Sequence, residues 1–226
     1  MDLSAPPHRY LTPQQAMQEF ALVSHFEPGL LVAHLKLTRR ILVIERELQL
    51  TSAQTQNLLQ TQQFVIVVGD FHTEMGINLS QAGNRLSALL VIGNMRANYL
   101  NPGQGLLSIT GNLELQRYLH SPRQVQPGLN LQVAKRLLTP VYLQENVDTN
   151  LAAGEFICPY RYHADDGLSN WPSIYFSDDQ RQIVGDCEGL VSHILQEVRK
   201  PPELQANFDW VAHYDFNPKR YPKEQS

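Results

Sequence analysis

One repeating pattern in the middle of the chain constrains its fold more than any other feature. Segments 42–48 (LVIEREL), 65–71 (VIVVGDF), 89–95 (LLVIGNM) and 107–113 (LSITGNL) share a plan: alternating apolar positions, a two-residue polar or glycine step, then another apolar residue. A fifth, 131–137 (LQVAKRL), keeps the apolar positions and lacks the glycine. Taking positions 46, 69, 93, 111 and 135 as equivalent gives steps of 23, 24, 18 and 24 residues.

Alternation with period two is a strand pattern and cannot be laid on one face of a helix. Leu107, Ile109, Leu113 and Leu115 fall on one side of such a strand, Ser108, Thr110 and Glu114 on the other. A second short alternating stretch follows the step, as at 117–119 and 141–143, where Tyr118 and Tyr142 are 24 residues apart. A unit of ~20 residues cannot bury its own apolar face, so such units must stack. Strands of successive units then pair in parallel at ~4.8 Å, their inward Leu, Val and Ile forming one continuous core.

The glycine steps mark corners. Gly69, Gly93 and Gly111 permit a positive φ or a bulge, and Asp70, Asn94 and Asn112, which follow them, can bond local backbone. In the stacked register these three Asx residues form a ladder along one edge, each bonding the next turn. An antiparallel meander with Gly-Asx hairpin turns is the alternative. It fits less well, because the apolar phase continues through each step and the spacing exceeds the ~8–12 residues of meander strands. The fold predicted is mainly β, a right-handed parallel β-helix (β-solenoid) of about five turns.

VVGDF at 67–71, VIGNM at 91–95 and ITGNL at 109–113 resemble the Gly-Asp-Leu-type repeats of bacterial right-handed β-helix proteins, a group loosely associated with polymer-forming cytoskeletal, bactofilin-like proteins. The resemblance covers roughly residues 30–145. It implies a stacked coil and, for function, self-assembly into a scaffold. The units here are longer and less regular than bactofilin repeats.

Open solenoid ends expose strand edges, so caps are expected. Thr12-Pro13-Gln14-Gln15 reads as a helix start with Thr12 as N-cap, Pro13 at the first helical position and Gln15 completing a capping box. That helix would carry Ala16, Phe20 and Val23, stop before Glu27-Pro28-Gly29 and close the first turn. The glutamine-rich stretch 49–63 suggests a corner loop or a short helix. Ser177-Asp178-Asp179-Gln180 opens a second helix pattern running through Ile183, Cys187, Leu190, Val191 and Val198. The organisation expected is an N-terminal helical cap at 1–29, solenoid repeats at 30–150, and a C-terminal cap region with one helix and a polar tail at 151–226.

Function classes narrow by chemistry. With 18 basic and 22 acidic residues, a net charge of −4, the chain carries no electrostatic footprint for nucleic acid or a membrane surface. No apolar run reaches signal-peptide or membrane-span length, which together with two cysteines points to a cytoplasmic protein without a disulfide framework, and a bacterial source is what the repeat resemblance implies. Cys158, His163, Cys187 and His193 have the donor types zinc prefers, but their spacing matches no zinc-site pattern. Cys187 and His193 lack a nucleophile motif as well, and no phosphate loop or dinucleotide fingerprint occurs. Asp165-Asp166 and Asp178-Asp179 read as a turn and a helix start rather than as an acid/base pair across a cleft.

Neither a cofactor nor a catalytic residue is therefore expected. The aromatics Tyr160, Tyr162, Trp171, Tyr175, Trp210 and Tyr214 are candidate contacts for another protein. The function expected is a non-catalytic protein-interaction module, in one form a toxin-neutralising (immunity-type) partner. A self-assembling homo-oligomeric scaffold and a solenoid-class enzyme acting on polysaccharide are the alternatives.

Overall fold

In the computed structural model the alternating segments are stacked strands. The structure describes residues 8–79, 82–121, 130–144, 151–158, the backbone of 160–163, and Val191. β1 (His8–Leu11) and α1 (Pro13–Glu19) come first, then a 3₁₀ turn at Leu22–Ser24 and α2 (Pro28–Leu37). β2 (Ile41–Ile44), β3 (Leu48–Leu50), α3 (Ser52–Thr61), β4 (Phe64–Val68), β5 (Phe71–Thr73) and β6 (Ile77–Asn78) follow. The chain continues through β7 (Ala88–Ile92), β8 (Met95–Asn101), β9 (Leu106–Ile109), β10 (Leu113–Ser121), β11 (Leu131–Leu138), β12 (Val141–Gln144), β13 (Leu151–Ile157) and β14 (Tyr160–His163).

These strands wind into a three-sided parallel β-solenoid. On the first side Leu42, Val65, Leu89, Leu107, Leu131 and Leu151 stack in register. On the second, Leu48, Phe71, Met95, Leu113, Leu137 and Phe156 stack. On the third, Ile77, Leu100, Leu119 and Tyr142 stack. β8, β10, β11 and β13 each run round a corner, so one strand serves two sides, with a register shift at the bend in β10 and β11. The inward residues of all three sides form one buried cluster. Each buried Leu or Val there contributes about 1.5–3 kcal/mol relative to an exposed one.

β4–β5–β6, β7–β8, β9–β10 and β11–β12 each carry strand on all three sides, and β13 with β14 continues the stack on the same three sides. Segment 42–48 begins the first turn, which has strand on two sides only. In that first turn the third side is a helix instead. Residues 49–63 place α3 there, started by a capping box between Thr51 and Gln54. Leu58 and Leu59 are buried in the solenoid core, and the Thr55 and Thr73 hydroxyls meet at 2.7 Å.

The N-terminal residues do more than close an end. Thr12 and Gln15 form the capping box of α1, with Pro13 in its first turn. A second helix, α2, occupies residues where the repeat places the start of the solenoid, and the solenoid strands begin at Ile41. Both helices lie on the outside of the first side. Ala16, Leu22, Phe26 and Leu31 pack on Ile41, Val43, Phe64, Ile66, Ala88, Leu90 and Leu106, the outward residues of β2, β4, β7 and β9. This second apolar layer explains why VIVV and LLVI are continuous apolar runs: both faces of those strands are buried. β1 pairs antiparallel with β2, His8 opposite Ile44 and Leu11 opposite Ile41. At the other end, β13 and β14 extend the stack past residue 150, and the helix expected over 177–198 lies outside the described residues except Val191, which is helical and buried.

Candidate functional site

The outward face of the first side changes character along the stack. Val43, Ile66, Leu90, Ser108, Gln132 and Ala152 form one outward column, each residue directly across from the next. The first three are apolar and lie under the helices. From Ser108 onward the column turns small and polar, and the helical layer stops. A groove of about 400 Å³ opens at this boundary. Its floor is Ser108, Thr110, Gln132, Ala134, Ala152 and Gly154, and its wall is Ser24 and His25 from the helical layer.

The wall is held in place by local backbone geometry. Ala21 adopts the left-handed conformation at φ 46°, unusual for a residue with a side chain, and this turns the chain into the Leu22–Ser24 turn. The Ser24 hydroxyl then donates to the Ala21 carbonyl at 2.8 Å. Burial holds the His25 imidazole below its ordinary pKa, which favours the neutral ring at the rim. Among the described residues no carboxylate, lysine or arginine lines the groove. Its surface therefore offers hydroxyl and amide hydrogen bonds over a floor of small side chains, with no charge to select a charged ligand.

The corner between the first and second sides carries the Gly-Asx steps. Asn94 donates its backbone N–H to Asp70 Oδ1 at 2.8 Å, and its side-chain amide reaches Oδ1 and Oδ2 of Asp70 at 3.1 and 3.2 Å. One turn on, Asn112 donates its backbone N–H and side-chain amide to Asn94 Oδ1 at 2.9 and 3.1 Å. The Arg136 N–H then donates to Asn112 Oδ1 at 3.3 Å. The bonds from Asn94, its backbone N–H first, hold the Asp70 carboxyl below its ordinary pKa; partial burial opposes them, and His72 adds to them.

The glycines of these steps are required by close approach. A Cβ at Gly111 would lie 2.5 Å from the Gly93 carbonyl oxygen, and one at Gly93 would lie 2.5 Å from that of Gly69. Gly69 itself sits at φ 137°, a region that disfavours side chains. Asp70, Asn94 and Asn112 thus form, with Gly69, Gly93 and Gly111, a corner that bonds turn to turn.

Of the aromatic candidates, Tyr160 and Tyr162 lie on β14, opposite Val141 and Leu143 of β12. Trp171, Tyr175, Trp210 and Tyr214 lie outside the described residues, as do Cys187 and His193. Cys158 is half-buried against the core, its Sγ 3.9 Å from the Pro140 carbonyl oxygen. Among the described residues no three His, Cys, Asp or Glu side chains are grouped to hold a metal ion. Among them, too, no helix is long and apolar enough to cross a membrane.

The repeat pattern does not point to the groove. The signal that marks it is the outward column itself, which passes from Leu90 to Ser108, Gln132 and Ala152 while the inward column stays apolar. Scans against models of protein families and searches of curated proteins and of solved structures find no match to this chain.

Proposed function

We propose that this chain is a non-catalytic β-solenoid that binds another protein, and that the groove on the first side receives a helix of that partner. The observation that carries the reading is the half-covered face. Over β2, β4 and β7 the outward residues are sealed by the chain's own helices, and over β11 and β13 no helix among the described residues covers them.

The open floor continues the same sheet surface on which α1 and α2 already pack. Ala134, Ala152 and Gly154 are exposed and small, so a helix can approach the strands closely. Ser24, Ser108, Thr110 and Gln132 supply hydrogen bonds at its margins. The uncharged lining suits a helix face of small apolar and hydroxyl or amide residues, and makes shape rather than long-range attraction the basis of recognition. A groove of this volume is within the ~300–1,000 Å³ range of binding pockets, but its floor is the face of a sheet, which suits a segment of another protein.

Photo-crosslinking in the native host tests the reading. A crosslinker placed at Ala134 or at Ala152 is expected to capture one and the same protein through a helical segment. The same group at Gln49 or His72, outward on the second side, is expected to capture nothing in common with it. Equal capture at all four positions, or none at the two groove positions, would overturn the assignment.

A further inference from the structure

The N-terminal strand reverses the direction of the stack. Every other strand pairing among the described residues is parallel, whereas β1 runs antiparallel to β2. β2 is an all-apolar strand, Ile41-Leu42-Val43-Ile44, whose side chains are completely buried. Without β1 its free edge would be a row of unpaired N–H and C=O groups on a flat apolar strand, the kind of edge that recruits another chain. β1 covers it with four residues that include His8 and Arg9.

β1 is held lightly. The Arg9 guanidinium pairs with Glu19 of α1 and, at 2.9 Å, with Glu45 just beyond β2. All three side chains are more than a third exposed, so salt and water weaken these pairs. Tyr10 is stacked under the Arg40 guanidinium at 4.2 Å and is itself exposed. Leu11 alone of the strand is buried, at the start of the helical layer.

We propose that β1 is a detachable guard, and that the β2 edge it covers is a docking surface for a second copy of this chain. The occupant follows from the edge itself. β2 already accepts an antiparallel neighbour over Ile41–Ile44, and a second β2 has the same length and composition. Antiparallel self-pairing closes with two-fold symmetry, so it gives a discrete dimer joined at the N-terminal ends.

Side chains directly opposite in an antiparallel pair share a face, so two registers keep inward residues inward: Leu42 on Leu42, or Val43 on Val43. In the first, Arg39 of one copy comes toward Glu45 of the other, the residue that directly follows the strand. Arg39 and Glu45 are both exposed at the strand ends. The first register therefore sets a basic residue against an acidic one twice across the dyad. Glu45, now bound by Arg9, is released for such a contact when β1 leaves.

The test compares three forms of the chain by light scattering over a range of concentrations. The intact chain is expected to be a monomer. A chain lacking residues 1–11 is expected to be a dimer that a synthetic peptide of residues 1–11 returns to monomer. The full chain with Arg9→Glu, which sets a third carboxylate against Glu19 and Glu45, keeps Leu11 and the helical layer and is expected to dimerise in a concentration-dependent manner. Adding Arg39→Glu to either dimerising form is expected to weaken the dimer by about tenfold. A truncated chain that stays monomeric, or associates with no response to the peptide, overturns the proposal. So does an Arg9→Glu chain that is monomeric at every concentration.

Discussion

Asn94 and Asp70 stand one turn apart at the same corner, and both the backbone N–H and the side-chain amide of Asn94 end on the Asp70 carboxylate. Replacing Asp70 by Ala removes the acceptor for both. Water reaches this half-exposed corner, so the expected loss is about 1 kcal/mol. The sign of its pH dependence follows from the depressed pKa. The native state holds Asp70 ionised more strongly than the unfolded chain does, so the contribution is present above the ordinary carboxylate pKa and is lost as pH falls through the native value. Urea unfolding of Asp70→Asn is expected to show a smaller loss of midpoint on acidification than the unsubstituted chain. Identical acid profiles would contradict the ladder's electrostatic role.

Gly93 and Gly83 both take a positive φ, and only Gly93 is also crowded. A Cβ at Gly93 would lie 2.5 Å from the Gly69 carbonyl oxygen and 2.8 Å from Asp70 Oδ1, so neighbouring turns would have to part. Gly93→Ala is expected to cost about 3 kcal/mol. Gly83 has φ 88° and open space where a Cβ would stand, so the cost of Gly83→Ala is that of its backbone conformation alone, about 1 kcal/mol. Thermal or urea unfolding of the two variants should rank them in that order, and equal costs would mean that the corner tolerates separation.

The inner half of this fold is legible in the sequence, and the outer half is not. Leu42, Val65, Leu89, Leu107 and Leu131 repeat with a period that fits stacked strands better than a meander, and Gly69, Gly93 and Gly111 mark the corner by side-chain absence. The helical layer leaves a weaker trace. Phe64, Ile66 and Leu90 are apolar at positions where a solvent-facing strand would be polar, but a both-sides-apolar run does not say what covers it. α2 is hidden for a related reason: Leu31 is buried while Val32 and Leu37 of the same helix are exposed, so its sequence lacks a clean apolar stripe. β1 is a four-residue strand fixed by its neighbour β2, and no local pattern in HRYL announces it. The groove inherits both difficulties, since its wall comes from the helical layer and its floor is defined by where that layer ends.

The helical layer and the solenoid should lose stability separately. Phe64 points outward, and its ring meets Phe26 edge to face at 5.9 Å. Phe71 points into the solenoid core. Truncating either buried ring to Ala is expected to cost about 3–5 kcal/mol. Hydrogen exchange distinguishes where the cost falls. Phe64→Ala is expected to lower protection in α1 and α2 first, leaving β9 to β11 close to normal, whereas Phe71→Ala is expected to lower protection throughout the strands. Uniform loss in both variants would show the two layers to be one cooperative unit.

His34 links α2 to the segment between β8 and β9, and burial pushes its pKa below 6.5 while a hydrogen bond to the Gln104 backbone works in the opposite sense. His25, at the groove wall, is lowered by burial alone. Between the unfolded and the native pKa the unfolded chain binds the proton more readily, so stability rises with pH across that interval. The contribution is complete above about pH 6.5, declines as pH falls through that value, and levels off below the native pKa. Both rings retain contact with solvent, so the loss per histidine is expected to stay under about 1 kcal/mol. His34→Gln preserves a donor for Gln104 and removes the titration. Urea midpoints measured from about pH 7.5 to 5 should therefore fall less in His34→Gln than in the unsubstituted chain, and least in the His25→Gln, His34→Gln double variant. Because both histidines sit on the helical layer, exchange protection in α2 should follow the same pH course. A midpoint that rises on acidification, or one unchanged by the double substitution, would mean that neither imidazole is desolvated by this layer.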